Sequence, residues 1–327
     1  MPERSEGLRQ SEGSGQSGRS GQCGQCGPSK GPAPSGGSGL PERLGGPGAS
    51  GEPRQPGVCG RGDVSGSGDT NGAAAWAKGL GGLRDTVRQE LVARQLDEQL
   101  AARFPVGRRL RVLDVGMGRG AQALRLARAG HKVTGLESDP DLLKAAREAL
   151  AHEPEGIRER FRAVEGDGRE TGVHFLPGSF DVVLCHGALM YVEDRDAMLA
   201  GLARMLAPGG LLSLLVRNAD ALALRPGLAG DWDTALTAFD RDAYTDRLGL
   251  RVRGDRLASV TATLAGIAAP LHTWYGVRVF TDGAADDVQP PSGEELARLL
   301  AAEDRAGRTD PYRSVAALLH LCGVRGQ

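Results

Sequence analysis

Residues 112–120 read VLDVGMGRG, an apolar strand-like run that leads into a glycine loop. Asp114 precedes Gly116, Gly118 and Gly120, and a helix-like segment follows at once. Glycines at such a turn let the backbone pass close to a bound nucleoside, because no Cβ stands in the way. The stretch therefore predicts a strand, a nucleotide-binding loop and a helix, which together form the first unit of a Rossmann-like sheet.

Apolar runs alternate with amphipathic stretches through the rest of the chain, which is typical of an α/β fold with a buried parallel sheet. The runs that predict strands cover residues 110–116, 131–138, 161–167, 179–189, 210–218, 273–282 and 312–325, the last with a possible helical start. The stretches that predict helices cover residues 83–102, 121–130, 139–151, 195–206 and 292–307. We predict a Rossmann-like, seven-stranded, mostly parallel sheet with helices on both faces and an antiparallel last strand.

Two predicted helices begin at recognisable capping residues. Asp139 is a candidate N-cap with Pro140 in the first helical position. Ser292 and Glu295 have the spacing of a capping box.

The chain divides into two predicted regions of different composition. Residues 1–72 are rich in Gly, Ser, Gln, Pro and Arg and show no apolar periodicity, as in GQCGQCGPSKGPAPSGGSG. Such a segment buries too little apolar surface to offset the entropy of ordering it, so we predict a disordered tail. We expect one catalytic domain over residues 76–327, with a substrate-side insertion over residues 219–270.

Charge and cysteine content exclude several classes of protein. The net charge of -1 leaves no global basic field of the kind that drives strong phosphate binding. No apolar stretch of about 20 residues is present, so we expect no membrane span. Five cysteines without a regular framework favour a reducing compartment, and we expect a cytoplasmic protein. Cys23 and Cys26 lack a second ligand pair, so we predict no metal site.

Two acidic residues strengthen the nucleoside prediction. Glu137 ends the second predicted strand about 20 residues after the loop, where a carboxylate can hold ribose hydroxyls. Gly166 and Asp167 follow the third strand, where the Asp167 side chain can accept from an adenine amino group. The alternative is that these are ordinary turn residues, and that alternative is weakest when all elements are taken together.

The glycine spacing favours S-adenosyl-L-methionine over NAD. Dinucleotide sites usually read G-x-G-x-x-G, whereas here the third glycine comes only two residues after the second. Asp114 would repel a pyrophosphate but would attract the ammonium group of a methionine moiety. We therefore predict a cofactor with a sulfonium and an amino acid end.

The combined motifs resemble the class I S-adenosylmethionine-dependent methyltransferases. The segments that carry this resemblance are LDVGMGRG, VTGLESD, VEGDG, FDVVLCHGALMYV and LARMLAPGGLLSLL, within residues 109–216. VRQELVARQLDEQL, LLSLLVRNADALALRPGLAGDWD, GVRVFTD and EDRAGRTDPYRSVAALLH resemble the narrower family of tRNA 5-carboxymethoxyuridine methyltransferases. The resemblance implies methylation of a carboxylate on a wobble uridine, and cofactor contacts from Arg88, Gly116, Met117, Glu137, Gly166, Asp167 and His186.

The chain departs from that family in one segment. TALTAFDRDAYTDRLGLRVRGDRLAS mixes Arg with Asp and has no lysine cluster, which weakens the expected contact with tRNA phosphates. The alternatives are a small-molecule O- or N-methyltransferase, a catalytically silent cofactor-binding module and, less favoured, an NAD-dependent oxidoreductase. The acceptor is then a tRNA anticodon or a small carboxylic acid.

His186 ends the fourth predicted strand and is the candidate general base, although a role in the cofactor wall is the favoured alternative. Arg88 has a similar alternative, that of a helix-surface charge. Further residues are candidates for an acceptor pocket or an anion site: Arg217, Arg225, Arg278, Arg313, Tyr312 and Trp274. Tyr191 and Trp232 have the chemistry to stack on a base, but we expect them to be core aromatics.

Overall fold

The computed structural model of the chain describes residues 81–245 and 249–326. The tail predicted over residues 1–72, with Cys23 and Cys26, lies outside the described residues, as does the predicted start of the domain at residue 76. Within the described part, strands and helices alternate as the apolar runs predict.

Nine strands lie within the described residues, and seven of them form one sheet. They are β1 (Arg111–Val115), β2 (Lys132–Glu137), β3 (Phe161–Glu165), β4 (Phe180–His186), β5 (Leu206–Arg217), β6 (Ala243–Thr245), β7 (Arg251–Arg253), β8 (Leu271–Val277) and β9 (Leu318–Val324). The sheet order is β3-β2-β1-β4-β5-β9-β8. The first five strands pair in parallel, and β9 is antiparallel to both its neighbours. The predicted sheet, with its antiparallel last strand, is confirmed.

Ten α-helices surround this sheet within the described residues. They are α1 (Leu83–Arg103), α2 (Ala121–Arg128), α3 (Pro140–Ala151), α4 (Glu155–Arg158), α5 (Thr171–His174), α6 (Arg195–Met205), α7 (Leu224–Leu228), α8 (Trp232–Asp240), α9 (Leu257–Gly266) and α10 (Gly293–Arg308). Successive side chains of β1 point to opposite faces of the sheet, and their contacts show that both faces are covered. Val112 packs in a cluster with Leu96 of α1, whereas Leu113 packs in a separate cluster with Leu202 of α6.

Strand β8 is shorter than predicted, because Arg278 has a φ of 61° and this left-handed backbone ends the extended run. The start of the last predicted strand is instead a short 3₁₀ helix, Tyr312–Val315, and β9 begins at Leu318. That outcome fits the helical start that the sequence leaves open.

One of the two predicted caps is confirmed and the other is wrong. The Asp139 side chain accepts from the backbone amides of Asp141 and Leu142, and Pro140 opens α3. Ser292 is the residue before α10, but within the described part of the chain its side chain caps no amide. Gly293 has a φ of 59°, and this left-handed first residue removes the geometry that a capping box needs.

The segment between β5 and β8 contains α7, α8, α9 and the antiparallel pair β6 and β7. It is tied to the sheet where Asn218 and Asp255 form a parallel bridge. Asp255 also pairs with Arg195 at the start of α6. No helix of the described residues has the length and apolar content of a membrane span.

Candidate active site

The carboxyl ends of the parallel strands meet at one edge of the sheet, where open α/β sheets bind ligands. A cleft of about 1690 Å³ opens at this edge, and a smaller cavity of about 210 Å³ shares several of its lining residues. Every residue of the predicted cofactor site lines one or both of them: Arg88, Asp114, Gly116, Met117, Gly118, Glu137, Gly166, Asp167 and His186. The structure therefore brings the predicted cofactor residues together.

The glycine loop after β1 depends on Gly116. Its φ is 66°, and a Cβ there would lie 2.5 Å from the Cβ of Ala188. The Gly116 amide donates to the Leu136 carbonyl at 2.9 Å, which holds the loop against the end of β2. Only glycine satisfies both the conformation and the contact.

Glu137 is a buried carboxylate held by three backbone amides. One oxygen accepts from Gly118 at 2.8 Å, and the other accepts from Ser138 at 2.9 Å and from Asp139 at 3.0 Å. Burial raises the pKa of Glu137, and the three amides oppose that rise. The side chain thus links the glycine loop to the start of α3.

Asp114 and Arg88 place opposite charges around the smaller cavity, which His186 also lines. Asp114 is 3% exposed, and its pKa is raised to about 7 by burial and then by the Glu137 charge. Arg88 comes from α1 and pairs with Asp85 at 2.5 Å. Sequence reasoning missed Asp85, although its i,i+3 spacing on a predicted helix is a readable signal.

Asp167 follows β3 and lies beside the cleft. Its carboxylate accepts from the Arg169 backbone amide at 2.8 Å and from the Arg169 guanidinium, with the shortest contact at 2.5 Å. Hydrogen bonds from Arg169 lower the pKa of Asp167. The pair is exposed, so it contributes little to the stability of the fold, and a ligand can displace Arg169 from the carboxylate.

His186 is at the end of β4 and is hydrogen-bonded into the sheet. Its Nε2 lies 2.8 Å from Ser213 Oγ, which lies 2.8 Å from Nε2 of His320. Burial lowers the pKa of His186 well below its usual value, and His320, Arg88 and Arg125 lower it further. Sequence reasoning missed Ser213 and His320, although each is a single polar residue inside an apolar run, LLSLLV and ALLHLCG.

A group of arginines lies on the β5 and β8 side of the cleft. Arg278 pairs with Asp282 at 2.6 Å, and Arg217 lies 3.4 Å from the same carboxylate. Arg84, which sequence reasoning missed, donates to the Asp282 carbonyl at 3.3 Å and pairs with Asp286. Of the earlier candidates, Arg225 also lines this cleft.

The close approach of these side chains shifts pKa values within the group. The pKa of Arg278 is lowered to about 10, first by burial and partly by Arg217, Arg84 and Arg88. Burial alone would raise the pKa of Asp282, but Arg278 and Arg217 hold it below its usual value. Nε of Arg217 and Nε of Arg278 are buried and have no hydrogen-bond partner among the described residues.

The other acceptor candidates are elsewhere. Arg313, Tyr312 and Trp274 do not line the cleft. Arg313 instead stacks over the Trp274 ring at 4.0 Å and pairs with Asp310. The expectation that Tyr191 and Trp232 are core aromatics is wrong, because they are 44% and 67% exposed. Tyr191 lines the cleft, whereas Trp232 is on the outside of α8.

Comparison with known proteins supports the fold and identifies a methyltransferase domain. The structure of magnesium protoporphyrin IX methyltransferase from Synechocystis, with bound SAH, superposes with a TM-score of 0.53. It shares 18% identity and covers 79% of this chain and 96% of its own. Residues 113–214 match the family described as methyltransferase domain, which spans β1 to most of β5. Residues 113–214 thus form a methyltransferase domain, and the chain is an S-adenosylmethionine-dependent methyltransferase.

Two curated relatives are similar to this methyltransferase over different lengths. The tRNA 5-carboxymethoxyuridine methyltransferase of Escherichia coli is 28% identical over 259 residues, which are 76% of this chain and 91% of the relative. The ubiquinone biosynthesis O-methyltransferase of Xanthomonas euvesicatoria is 39% identical over 116 residues, but these cover 35% of this chain and 46% of the relative. The second similarity is therefore confined to part of each protein.

No group of three His, Cys, Asp or Glu side chains with the arrangement of a metal site exists among the described residues of the methyltransferase. Its cleft chemistry comes from carboxylates, guanidinium groups, the half-buried imidazole of His186 and backbone amides.

Proposed function

We propose that this methyltransferase methylates a carboxylate on an anionic acceptor and acts in the cytoplasm. The first acceptor that we propose is 5-carboxymethoxyuridine at the wobble position of a tRNA, which would become its methyl ester. One observation carries this proposal, namely the group of Arg84, Arg217 and Arg278, two of them buried and one partly buried, beside the predicted cofactor residues.

The smaller cavity fits the amino acid end of S-adenosylmethionine. Arg88 offers a guanidinium to the methionine carboxylate, and buried Asp114 offers a carboxylate to the ammonium group. A buried carboxylate with a raised pKa gains most from a cation, because the cation offsets its desolvation. The charge pattern of the cavity therefore complements a zwitterion.

The rest of the cofactor would lie along the strand ends. Glu137 would hold the ribose, Gly166 and Asp167 would border the adenine, and His186 would form part of the wall. Gly116, Met117 and Gly118 would bring the backbone of the glycine loop close to the ligand. These assignments follow the family motif, and the lining of the cleft supports them.

When bound, the cofactor supplies a methyl group on a sulfonium, and this carbon is open to in-line attack. A carboxylate acceptor is ionised at neutral pH and needs no general base. His186 is neutral there, and its Nε2 is engaged by Ser213, so we assign it to the wall and not to proton transfer. Catalysis then rests on alignment, which can supply roughly 7–11 kcal/mol.

The arginine group supports an anionic acceptor over a neutral one. Arg278 and Arg217 both lie against the single carboxylate of Asp282, so these two guanidinium groups outnumber the carboxylate that they share. Arginine binds carboxylates with geometrically matched hydrogen bonds. An acceptor carboxylate would satisfy donors that the described residues leave free, including Nε of Arg217.

The tRNA part of the proposal rests on similarity across most of the chain. The relative that matches over 76% of this chain is named for 5-carboxymethoxyuridine. We propose that residues 219–270 form the substrate side, since Arg225, Arg241 and Tyr244 from this segment line the cleft. Arginine and aromatic side chains can bind phosphates and unstacked bases without the lysine cluster.

The proposal is tested by transfer of a labelled methyl group from S-adenosylmethionine to bulk tRNA that carries the free carboxymethoxy group. We expect incorporation that mild alkali releases as volatile methanol, because only an ester is cleaved under those conditions. The matched control is tRNA with unmodified wobble uridine, which should take up no label.

Other outcomes would reject the proposal. Alkali-stable label would indicate N-methylation or an ether. Label in a small carboxylic acid or a phenol, with none in tRNA, would favour a small-molecule methyltransferase. Cofactor binding without transfer to any fraction of a cell extract would favour a silent module.

A further inference from the structure

A chain of buried polar side chains leads away from His186 under helix α1. Its hydrogen bonds join His186 to Ser213, Ser213 to His320, and His320 Nδ1 to Gln95 Oε1, and each is 2.8 Å long. Ser213, His320 and Gln95 are completely buried.

The strand register explains why these residues meet. His186 on β4 pairs with Leu215 on β5, and Leu215 pairs with His320 on β9. Ser213 is two residues before Leu215 and therefore shares its face. Helix α1 covers this face and brings in Gln95. Polar residues on one face of three adjacent strands thus form one continuous chain of hydrogen bonds.

The hydrogen bonds of this series all donate in one direction, from His186 towards Gln95, and the Gln95 amide determines that direction. The Gln95 amide is oriented with Oε1 towards His320, which leaves its buried Nε2 without a partner among the described residues. In this orientation Oε1 can only accept, so Nδ1 of His320 carries the proton and Nε2 of His320 is an acceptor. The Ser213 hydroxyl donates its one proton to that nitrogen, and its oxygen then accepts from Nε2–H of His186. The Cys322 thiol, 3.8 Å from Nε2 of His320, is also a donor and does not reverse the direction.

We propose that Ser213, His320 and Gln95 are positioning residues that fix His186 as the Nε2–H tautomer, with an Nδ1 lone pair offered to the amino acid end of the cofactor. Nδ1 is buried and has no hydrogen-bond partner among the described residues, while His186 itself lines the smaller cavity with Arg88 and Asp114. An imidazole with Nδ1 protonated would present a donor to an ammonium group and repel it. The inference rests on the cofactor-wall role proposed for His186 and is independent of the methyl acceptor.

The tautomer can be measured directly on the full chain labelled with ¹⁵N-histidine. Long-range ¹H–¹⁵N spectra show which ring nitrogen carries the proton, and the spectra of His186→Gln and His320→Gln assign the two rings. We expect Nε2–H on His186 and Nδ1–H on His320. Nδ1–H on His186 would overturn the proposal, since the chain would then run in the opposite direction.

A pair of ligands separates positioning from packing. S-adenosylhomocysteine has the ammonium group, and 5′-methylthioadenosine lacks the whole amino acid end. We expect Ser213→Ala to weaken S-adenosylhomocysteine about tenfold and 5′-methylthioadenosine less than about twofold, as measured by calorimetry. Ser213→Thr, which keeps a hydroxyl, should restore most of the affinity for S-adenosylhomocysteine.

Cys185→Ala is the matched packing control, because Cys185 is buried in β4 but packs in the cluster on the other face of the sheet. It should change neither affinity. Equal loss of both ligands in Ser213→Ala would overturn the proposal and indicate a packing defect. Failure of tRNA methylation would not affect these readouts, because neither of them uses an acceptor.

Discussion

The carboxylate of Glu137 accepts a hydrogen bond of 2.8 Å from the backbone amide of Gly118. This bond joins the end of β2 to the glycine loop that follows β1. Its other oxygen takes the amides of Ser138 and Asp139, so the carboxylate is held from both sides. One side chain therefore shapes the loop and lines the part of the cleft where we place the ribose.

Glu137→Ala should weaken cofactor binding by about 1–3 kcal/mol, because a charge-assisted contact with the ribose is lost. Titration calorimetry with S-adenosylhomocysteine measures this. The control is Glu165→Ala, since Glu165 is the register partner of Glu137 on β3 but is exposed. Unchanged affinity in Glu137→Ala, or an equal loss in the control, would show that Glu137 does not hold the ribose.

Asp114 should make the ligand-free protein less stable as pH rises. Its folded pKa of about 7 is above the ordinary aspartate value of 3.8, so the unfolded state loses the proton first. Below about pH 4, Asp114 is protonated in both the folded and the unfolded state and does not affect stability. Between about pH 4 and pH 7 the free energy of unfolding falls, and above about pH 7 it is constant. Asp114→Asn should thus stabilise the free protein at pH 8 by an amount on the order of 4 kcal/mol, and by much less at pH 5.

Urea unfolding of both proteins at pH 5 and pH 8 measures this difference. The same variant should bind S-adenosylhomocysteine more weakly, since the partner of the ammonium group is gone. A stability gain that is equal at the two pH values would contradict the assigned titration. Tighter cofactor binding would contradict the assigned role.

The sheet was predictable because its strands are unbroken apolar runs, and such runs are typical of a parallel sheet with both faces covered. The end of β8 was not predictable, because no residue pattern announces the positive φ of Arg278. The orientation of the insertion was equally hidden. Trp232 looks like a core residue by type, and only the packing of α8 shows that it faces solvent.

The candidate site, like the fold, was predictable from the sequence only in part. Residues at strand ends and in the glycine loop converge by topology, so their chain positions predicted that they would meet. Gln95 and His320 are 225 residues apart, and no local spacing connects them. Ser213 was visible as a polar residue in an apolar strand, but its partners depend on the register of β4, β5 and β9.

Asp167 should determine selectivity for adenine. Its pair with Arg169 is exposed and weak, so an exocyclic amino group can compete for the carboxylate. Asp167→Asn should reduce the preference for S-adenosylhomocysteine over S-inosylhomocysteine, in which an oxygen replaces the amino group. Competition binding with both ligands measures the ratio. If the ratio of the two affinities equals that of the unaltered enzyme, Asp167 does not contact the adenine.

Arg217 should bind the acceptor and not the cofactor. Its Nη1 is 3.4 Å from Asp282 and its buried Nε has no partner among the described residues, so it has donors available for an anion. Arg217→Gln should raise KM for a carboxylate acceptor by about 10–100-fold, the cost of losing one charge-assisted contact. The dissociation constant for S-adenosylhomocysteine should stay within about twofold, which also shows that the variant is folded.

Arg298→Gln is the matched control for this substitution, because Arg298 is an exposed arginine on α10 that pairs with Glu294 on the same helix. It should leave both constants unchanged. An Arg217→Gln enzyme with normal KM for the carboxylate acceptor would separate the arginine group from substrate binding. A loss confined to cofactor affinity would instead move Arg217 to the cofactor side of the cleft, and the acceptor carboxylate would then need another cationic partner.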